Sequence, residues 1–324
     1  KNSKLISLKG KSLLPGWVMT GENLFYATHP GNLPASMVDY VFTREPISYP
    51  RLYLAAGVTT ARTSKSISPY QDLYVKEKID SGELLGPDLD LTAINIGGAS
   101  SIFRYAMKSP EEVREAIRFW SGLGFHHFRV SPDVSSENMK AAVEEANKIG
   151  LLISADVGPR INRQMEAIEL GIKHIEAWIG DDMNLDKNSS KVQNMMDEYI
   201  KNDVFVSPLL TMYDNKPIPE ETKALLSPYS LDEYKRTPEG GWGAVFSDGS
   251  MLKQKSELVA LLWRKGGQMA VYSYPSNLGV VAGYSNLRAI ELLVEAGIPP
   301  LEVIKMATLN GAKVIGVEGD RGTV

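Results

Sequence analysis

The sequence predicts an α/β protein of the (β/α)8 TIM-barrel class. Short apolar segments of strand length alternate with longer amphipathic stretches along most of the chain. Strands separated by helices of this length form parallel β-α units, and eight such units form a closed barrel. A chain of 324 residues is an ordinary length for one barrel. We therefore expect a single domain over residues 1–324.

Eight segments are the predicted strands. Each is a short, mostly apolar run between stretches of helical pattern or turn residues. In chain order they are Trp17–Thr20, Thr59–Arg62, Leu89–Ile94, His127–Ser131, Leu151–Asp156, His174–Ile179, Val204–Leu209 and Met269–Tyr274.

Two of the intervening helices carry clear end signals. SPEEVREAIRFWSGLG has Ser109 as an N-cap, a proline at the first helical position and Glu112 three residues after the cap. SSENMKAAVEEANKIG has Ser135 or Ser136 as its N-cap, and Gly150 lies where a helix C-cap would fall. Both stretches are therefore predicted helices.

The segment from about residue 213 to 251 is too long for an ordinary connection. It follows the seventh predicted strand and is rich in proline, glycine and charge. One interpretation is a solvated excursion with two short helices. The other is a lid across the barrel mouth, because long loops are often functional.

Composition excludes several classes of function. The net charge of -4 and the pI of about 5.7 give no basic surface for nucleic acid or an anionic membrane. No stretch approaches the roughly 18–20 apolar residues of a membrane span. KNSKLISLKGK, the first residues, lack the apolar run of a signal peptide. Because cysteine is absent, disulfides, thiolate zinc sites and a cysteine nucleophile are excluded.

The stretch LLPGWVMTGENLFY at 13–26 resembles the first strand of the amidohydrolase superfamily, in its imidazolonepropionase and prolidase-like branch. That branch has Pro-Gly, an apolar strand and then His-x-His. Residues 54–70, 125–136, 150–159, 169–179 and 283–316 extend the resemblance over nearly the whole chain. It implies a barrel of amidohydrolase type, hydrolysis by a metal-activated water, and a small β-sandwich beside the barrel. We expect that flanking sandwich to be largely missing here.

The resemblance also implies six positions for the metal ligands, and this chain departs from the family at them. They fall on Gly21, Asn23, Arg129, Asp156, Ala177 and Tyr274. Glycine and alanine offer no ligand, and arginine stays protonated. Because a tight zinc site needs about three or four good ligands, we expect no metal and no other cofactor. A loss confined to the pocket is typical of an engineered protein.

Polar residues on the predicted strands four and five suggest a general base. Side chains alternate along a strand, so His127, Arg129 and Ser131 share one face, with Asp156 on the neighbouring strand. A carboxylate beside an imidazole in an apolar pocket has the pKa and geometry of a base. The alternative is an ion pair between Arg129 and Asp156 that fills space, because buried charges are normally paired.

Lys65 suggests a different chemistry. It follows the second predicted strand, at the end of the barrel where catalytic groups lie. If Ile94, Trp178 and Tyr272 desolvate the amine, its pKa falls and it can form a Schiff base. Tyr272 and Tyr274 could then relay a proton. Alternatively, Lys65 is a loop lysine that reaches solvent.

The pocket suits a flat aromatic substrate. Gly21 and Ala177 remove bulk, and Trp17 and Trp178 add aromatic walls to those of the two tyrosines. The alternative is that these rings are simply packing. The full set of predicted substrate-binding residues is Trp17, Gly21, Asn23, Ile94, Arg129, Ser131, Ala177 and Trp178.

The sequence therefore favours a metal-free, engineered lyase that acts on a small aromatic molecule. The reaction would be retro-aldol cleavage through a Schiff base on Lys65, or Kemp-type elimination with Asp156 or His127 as base. One alternative is a non-catalytic pseudoenzyme that binds a small molecule. Another is weak metal-dependent hydrolysis through Asp156, Glu22 and Asn23. We expect no nucleic-acid or membrane partner, and the sequence leaves oligomerisation open.

Overall fold

The computed structural model describes residues 7–24, 48–97, 105–177, 179, 186–214, 216–226, 231, 249–275 and 280–324. The strands there are β1 Trp17–Glu22, β2 Val58–Thr63, β3 Asp88–Asp90, β4 Thr92–Gly97, β5 Tyr105–Ala106, β6 His127–Val130, β7 Leu152–Ala155, β8 His174–Ala177, β9 Phe205–Pro208 and β10 Gln268–Met269.

The helices alternate with the strands along most of the chain. They are α1 Ser48–Ala55, α2 Pro69–Asp80, α3 Pro110–Gly122, α4 Ser136–Lys148, α5 Ile161–Glu169, α6 Ser190–Lys201, α7 Glu220–Lys223, α8 Ser250–Arg264, α9 Tyr284–Glu295, α10 Pro300–Lys305 and α11 Gly311–Val314. No helix of the described residues is long and apolar enough to cross a bilayer.

The strands form two sheets in which every pairing is parallel. One sheet has the order β1-β2-β3, and the other has the order β10-β9-β8-β7-β6-β4-β5. Backbone hydrogen bonds also cross between them, such as that from Thr20 N to Val271 O at 3.1 Å. The predicted α/β class with parallel strands is confirmed.

Two predicted strands differ in their extent. The segment Leu89–Ile94 is divided at Leu91, because its first half pairs with β2 and its second half pairs with β6. The last predicted strand is regular only at Gln268–Met269. Backbone hydrogen bonds continue through Val271, and the positive φ of 54° at Tyr274 takes that residue out of the extended conformation.

The helix end signals act as predicted, with two refinements. Ser109 Oγ accepts a hydrogen bond from Glu112 N at 3.3 Å, but the Glu112 carboxylate accepts from Lys108 N rather than from the cap residue. Ser135, not Ser136, is the cap of α4, since its Oγ accepts from Asn138 N at 3.1 Å.

Most of the predicted loop at 213–251 lies outside the described residues. Its described parts are residues 213, 214, 216–226, 231 and 249–251, which include the short helix α7. The lid interpretation therefore stays a prediction.

Candidate functional site

Arg129 and Asp156 meet where β6 and β7 end. Arg129 is the third residue of β6, and Asp156 directly follows β7. Their side chains form an ion pair through Arg129 Nη2 and Asp156 Oδ2. Arg129 Nη1 donates to Ser64 Oγ at 3.0 Å, and Arg129 Nε lies 3.2 Å from Glu176 Oε2. Burial alone would lower the pKa of Arg129, but the charges of Asp156 and nearby groups outweigh it and raise that pKa.

A second arginine lies below this pair. Arg62 on β2 forms an ion pair with Glu176 on β8, and both side chains are completely buried. Arg62 Nε donates to Thr20 O at 2.8 Å, and Nη1 to Thr92 Oγ1 at 3.3 Å. Burial favours the neutral carboxyl, but Arg62 and Arg129 together lower the pKa of Glu176 to about 2. Glu176 is therefore a fixed anion between two fixed cations.

Two stacked tyrosines form an aromatic wall beside the ion pairs. The ring centroids of Tyr272 and Tyr274 lie 5.7 Å apart with an interplanar angle of 18°. The hydroxyl of Tyr272 is 3.1 Å from Ser64 Oγ, which also binds Arg129. A Cβ atom at Gly21 would lie 1.6 Å from the Tyr272 ring, so only glycine allows the ring this place.

Two of the three non-glycine residues with positive φ in the described part of the chain lie at this wall, and the third is Asp203. Ala177 and Tyr274 have φ values of 68° and 54°, a region that residues other than glycine adopt infrequently. Ala177 also packs with Tyr272 and Leu209 in a small apolar cluster at the end of β8. Such conformations occur often at functional sites, where surrounding structure holds them in place.

Lys65 reaches the aromatic wall. It is half-buried two residues after β2, and its Nζ lies 5.2 Å from the centroid of the Tyr274 ring. A cation at this distance from an aromatic face is attracted by the ring quadrupole. The structure thus brings Lys65, Arg129, Asp156, Tyr272 and Tyr274 into one group.

His127 has a different partner from the one expected. Its Nε2 lies 2.5 Å from Asp90 Oδ2, and no ion pair with Asp156 is among the contacts described. His127 is the first residue of β6 and pairs in register with Leu152, whereas Asp156 follows the end of β7. The predicted dyad of His127 and Asp156 is therefore replaced by one of His127 and Asp90, nearer the amino ends of the strands.

The predicted binding residues divide into those near the group and those away from it. Trp17 begins β1, five residues before the strand ends, and lies against Gly57. Side chains this far apart along a strand are separated by about 16 Å, so Trp17 does not line the group. Ile94 is a core residue of β4, and Ser131 Oγ binds Ile96 O at 3.0 Å. Trp178 lies outside the described residues.

Asn23 has a buried side-chain amide for which the described residues supply no hydrogen bond. Its side chain has no exposure, and neither Oδ1 nor Nδ2 finds a partner within the part of the chain that the structure describes. Its backbone oxygen accepts from Tyr53 Oη at 2.5 Å, which fixes the main chain after β1. Buried polar atoms are rarely left unpaired, so this amide needs an explanation.

Arg62 and Glu176 were not among the predicted site residues, and Glu22 entered only the alternative of weak metal-dependent hydrolysis. Glu22 is fully buried, and Ser273 Oγ donates to its carboxylate at 2.9 Å. Burial raises the pKa of Glu22 to about 7, and hydrogen bonds from Ser273 and Asn286 oppose that rise. The signal in the sequence was a charged residue within a predicted strand for Arg62 and Glu176, whereas Glu22 lies two residues beyond the first predicted strand.

Within the residues described, no group of three or more His, Cys, Asp or Glu side chains is placed to hold a metal ion. The carboxylates near the site have other partners. Asp156 and Glu176 are held by arginines, and Glu22 by a serine.

Comparison with known proteins shows a similarity of fold. No protein-family model matches the chain, and no curated protein does. A prolidase crystallised with N-methylphosphonate-L-proline has a TM-score of 0.70 at 15% identity, over 100% of this chain and 81% of that one. A Xaa-Pro dipeptidase with methionine bound in its active site has a TM-score of 0.64 at 20% identity, over 96% of this chain and 77% of that one. A bottromycin amidohydrolase has a TM-score of 0.67 at 17% identity, over 95% of this chain and 68% of that one. The resemblance to prolidases and other amidohydrolases is thus supported at the level of the fold.

Proposed function

We propose that the two sheets form one closed barrel of amidohydrolase type with eight strand positions. In this interpretation β3 and β4 are a single strand that changes partner at Leu91, and β5 is an addition outside the ring. Two observations support closure. The bond from Thr20 N to Val271 O joins β1 to the segment after β10, and Ser66 N donates to Ala93 O at 3.1 Å across the other boundary. The candidate site would then lie at the carboxyl mouth of the barrel.

We infer that the residues at the family's metal positions do not fit a divalent ion. The only carboxylate among them, that of Asp156, is already neutralised by the Arg129 guanidinium. Gly21 and Ala177 supply no ligand atom, and Gly21 instead admits the ring of Tyr272. A metal brought to this place would meet a permanent cation. No step of the proposed function passes through a metal.

The proposed function is binding of a small planar molecule that carries an anionic group. The observation that supports this function is the stacked pair of Tyr272 and Tyr274, with Lys65 and Arg129 beside it. Of the two rings, the partly exposed Tyr274 offers an aromatic surface to a flat ligand, and Lys65 offers charge to an anion. Two proteins of similar fold hold small molecules with acidic groups, methionine in one and N-methylphosphonate-L-proline in the other.

A panel of three matched probes tests this proposal. We expect benzoate to raise the melting temperature of the protein more than benzyl alcohol or benzylamine, because only benzoate pairs a ring with a negative charge. The Lys65→Met variant should lose the preference for benzoate and keep a weak response to benzyl alcohol. The Tyr274→Ala variant should lose both responses. Equal shifts for the three probes, or an unchanged preference in Lys65→Met, would contradict the proposal.

Lys65 also supports a second candidate, retro-aldol cleavage through a Schiff base. Its amine would add to the carbonyl carbon of a β-hydroxy ketone, and loss of water would give an iminium ion. Transfer of the hydroxyl proton, relayed by Tyr274 to water, would then break the carbon–carbon bond, with its electron pair moving to the iminium nitrogen to give an enamine while an aldehyde leaves. Protonation of the enamine carbon and hydrolysis of the resulting iminium ion would release the ketone and restore Lys65. The half-buried position of Lys65 against Tyr274 favours this route. Elimination by Asp156 or His127 has less support, because Arg129 already neutralises Asp156 and because the pair of His127 and Asp90 lies nearer the amino ends of the strands.

Reductive trapping tests the lysine route. Borohydride added with an aromatic β-hydroxy ketone should attach the ketone fragment to Lys65, and peptide mass spectrometry would locate it. Lys65→Met should remove this adduct, and Lys9→Met should leave it intact, since Lys9 is an exposed lysine of the amino-terminal segment. If the Lys65 peptide stays unmodified while ligand binding persists, the protein binds without catalysis by this route.

A further inference from the structure

An exposed aromatic surface lies on the outer face of α2 and α3, and it shares no residue with the candidate site. It consists of Tyr70 and Tyr74 on α2, Phe119 on α3 and Leu123, which directly follows α3, and we call it the α2–α3 aromatic surface. Their side chains are 62%, 56%, 55% and 40% exposed. Large aromatic side chains are usually buried, so three together at more than half exposure are unusual.

The rings of this surface are contiguous. Tyr70 and Tyr74 are one helical turn apart, as are Phe119 and Leu123. Buried Trp120 joins the two helices, with ring centroids 5.5 Å from Tyr70 and 5.0 Å from Phe119. At roughly 150–250 Å² for each aromatic side chain, the exposed parts amount to about 300–400 Å². That is within the range of the largest apolar patch on a typical monomer, which is often functional.

The rim of the α2–α3 aromatic surface is acidic. Glu77 lies one turn beyond Tyr74, and Glu115 lies one turn before Phe119; both are exposed. Neither carboxylate has an ion-pair partner among the described residues. The nearby cations are already engaged, because Lys78 binds Glu83 at 2.9 Å and Arg118 binds Glu111 at 2.8 Å.

The ring faces of this surface can also accept a cation. Lys78 Nζ lies 5.5 Å from the centroid of the Tyr74 ring, so one ring already makes such a contact within the chain. The exposed faces of Tyr70 and Phe119 are available for the same interaction with another molecule. Arginine and lysine side chains satisfy both features of the surface, since they pair with carboxylates and stack on rings.

We propose that the α2–α3 aromatic surface binds a cationic, apolar segment of a partner protein, such as an amphipathic helix with lysine or arginine beside its apolar face. Charge decides among the occupants. A second copy would bring Glu77 and Glu115 against the same acids, and an anionic lipid surface would be repelled by them. A basic segment meets opposite charge at the rim and aromatic surface at the centre.

A labelled 18-residue amphipathic peptide of leucine and lysine is the probe, and its leucine–glutamate counterpart is the control. We expect fluorescence anisotropy to show binding of the lysine peptide alone, weakening with added salt. Phe119→Ser should weaken it about tenfold or more, as for an interface anchor. Leu301→Ser, which changes an apolar side chain that is 78% exposed elsewhere, should leave it unchanged.

Charge reversal separates the proposal from general attraction to an acidic protein. Glu77→Lys with Glu115→Lys should weaken binding about tenfold. Glu169→Lys with Glu318→Lys changes the net charge equally at exposed sites elsewhere and should have little effect. Equal losses in both double variants would overturn the proposal. So would binding of the glutamate peptide, self-association that Phe119→Ser abolishes, or binding to phosphatidylserine vesicles through Phe119.

Discussion

At the scale of single residues, the site depends on which side chains pack against one another and which form ion pairs. Gly21 is the clearest case, because the missing Cβ leaves the place that the Tyr272 ring occupies. From the sequence we expected Gly21 to stand at a metal-ligand position of the family, but the sequence could not show which side chain fills the space beside it. That required the path of the chain after β10, where Tyr274 has a positive φ.

Gly21→Ala should destabilise the protein by about 1–3 kcal/mol, the usual cost of overpacking a core. Urea denaturation measures the change. Gly122→Ala is the control, since nothing lies within 4 Å of a Cβ at that helical position. Because the clash is with one ring, the double variant Gly21→Ala with Tyr272→Ala should show a smaller loss than the sum of the two single losses. Strict additivity would show that this contact is not the cause.

Glu22 makes stability depend on pH. Burial raises its folded-state pKa to about 7, above the ordinary 4.5, so its contribution is fully present below pH 4.5 and is lost as the pH rises to 7. The free energy of unfolding should fall by about 3 kcal/mol over this range. Glu22→Gln, which keeps the shape without the charge, should flatten that part of the profile. If Glu22→Gln leaves the pH dependence of the unfolding free energy unchanged, a group other than Glu22 is responsible for it.

At the scale of strands and helices, β2, β6 and β8 are tied together by charge. Glu176 on β8 binds Arg62 on β2 and Arg129 on β6. The sequence predicted these strands and one of the two arginines as a site residue. It could not predict the shared carboxylate, because its partners are 114 and 47 positions away and pairing depends on strand order.

Glu176→Gln should destabilise the protein by about 3–5 kcal/mol, because two buried guanidinium groups lose their shared anion. Differential scanning calorimetry gives the shift in melting temperature. Glu83→Gln breaks an exposed pair with Lys78 and should give no measurable change. Comparable losses in the two variants would mean that burial does not set the strength of the network.

The start of α4 shows what local sequence can and cannot decide. Sequence placed the N-cap at Ser135 or Ser136, and the bond from Asn138 N selects Ser135. Ser135→Ala should cost ~1 kcal/mol in urea denaturation, the usual value for a lost cap. Ser136→Ala should cost less, because its hydroxyl accepts only from the side chain of Arg163. A reversed order would move the cap to Ser136.

At the scale of the whole molecule, the parallel α/β architecture followed from the period of the apolar segments. Local patterns predict such elements well, because the spacing of apolar residues along a strand or helix depends on which of its faces is buried. The site was predicted in part. Arg129 and Asp156 were expected to meet, and they do. Trp17 was assigned to the pocket on its aromatic character, but it lies at the start of β1, which spacing along the strand alone could have shown.

We propose that the Arg129–Asp156 pair and the wall of Tyr272 and Tyr274 stand where relatives of this fold are expected to hold metal. Elemental analysis of the protein expressed in zinc-supplemented medium and then gel-filtered tests it most directly. We predict far less than one equivalent of zinc, with the same content in Asp156→Asn. One or two retained equivalents that are lost in Asp156→Asn would contradict the account.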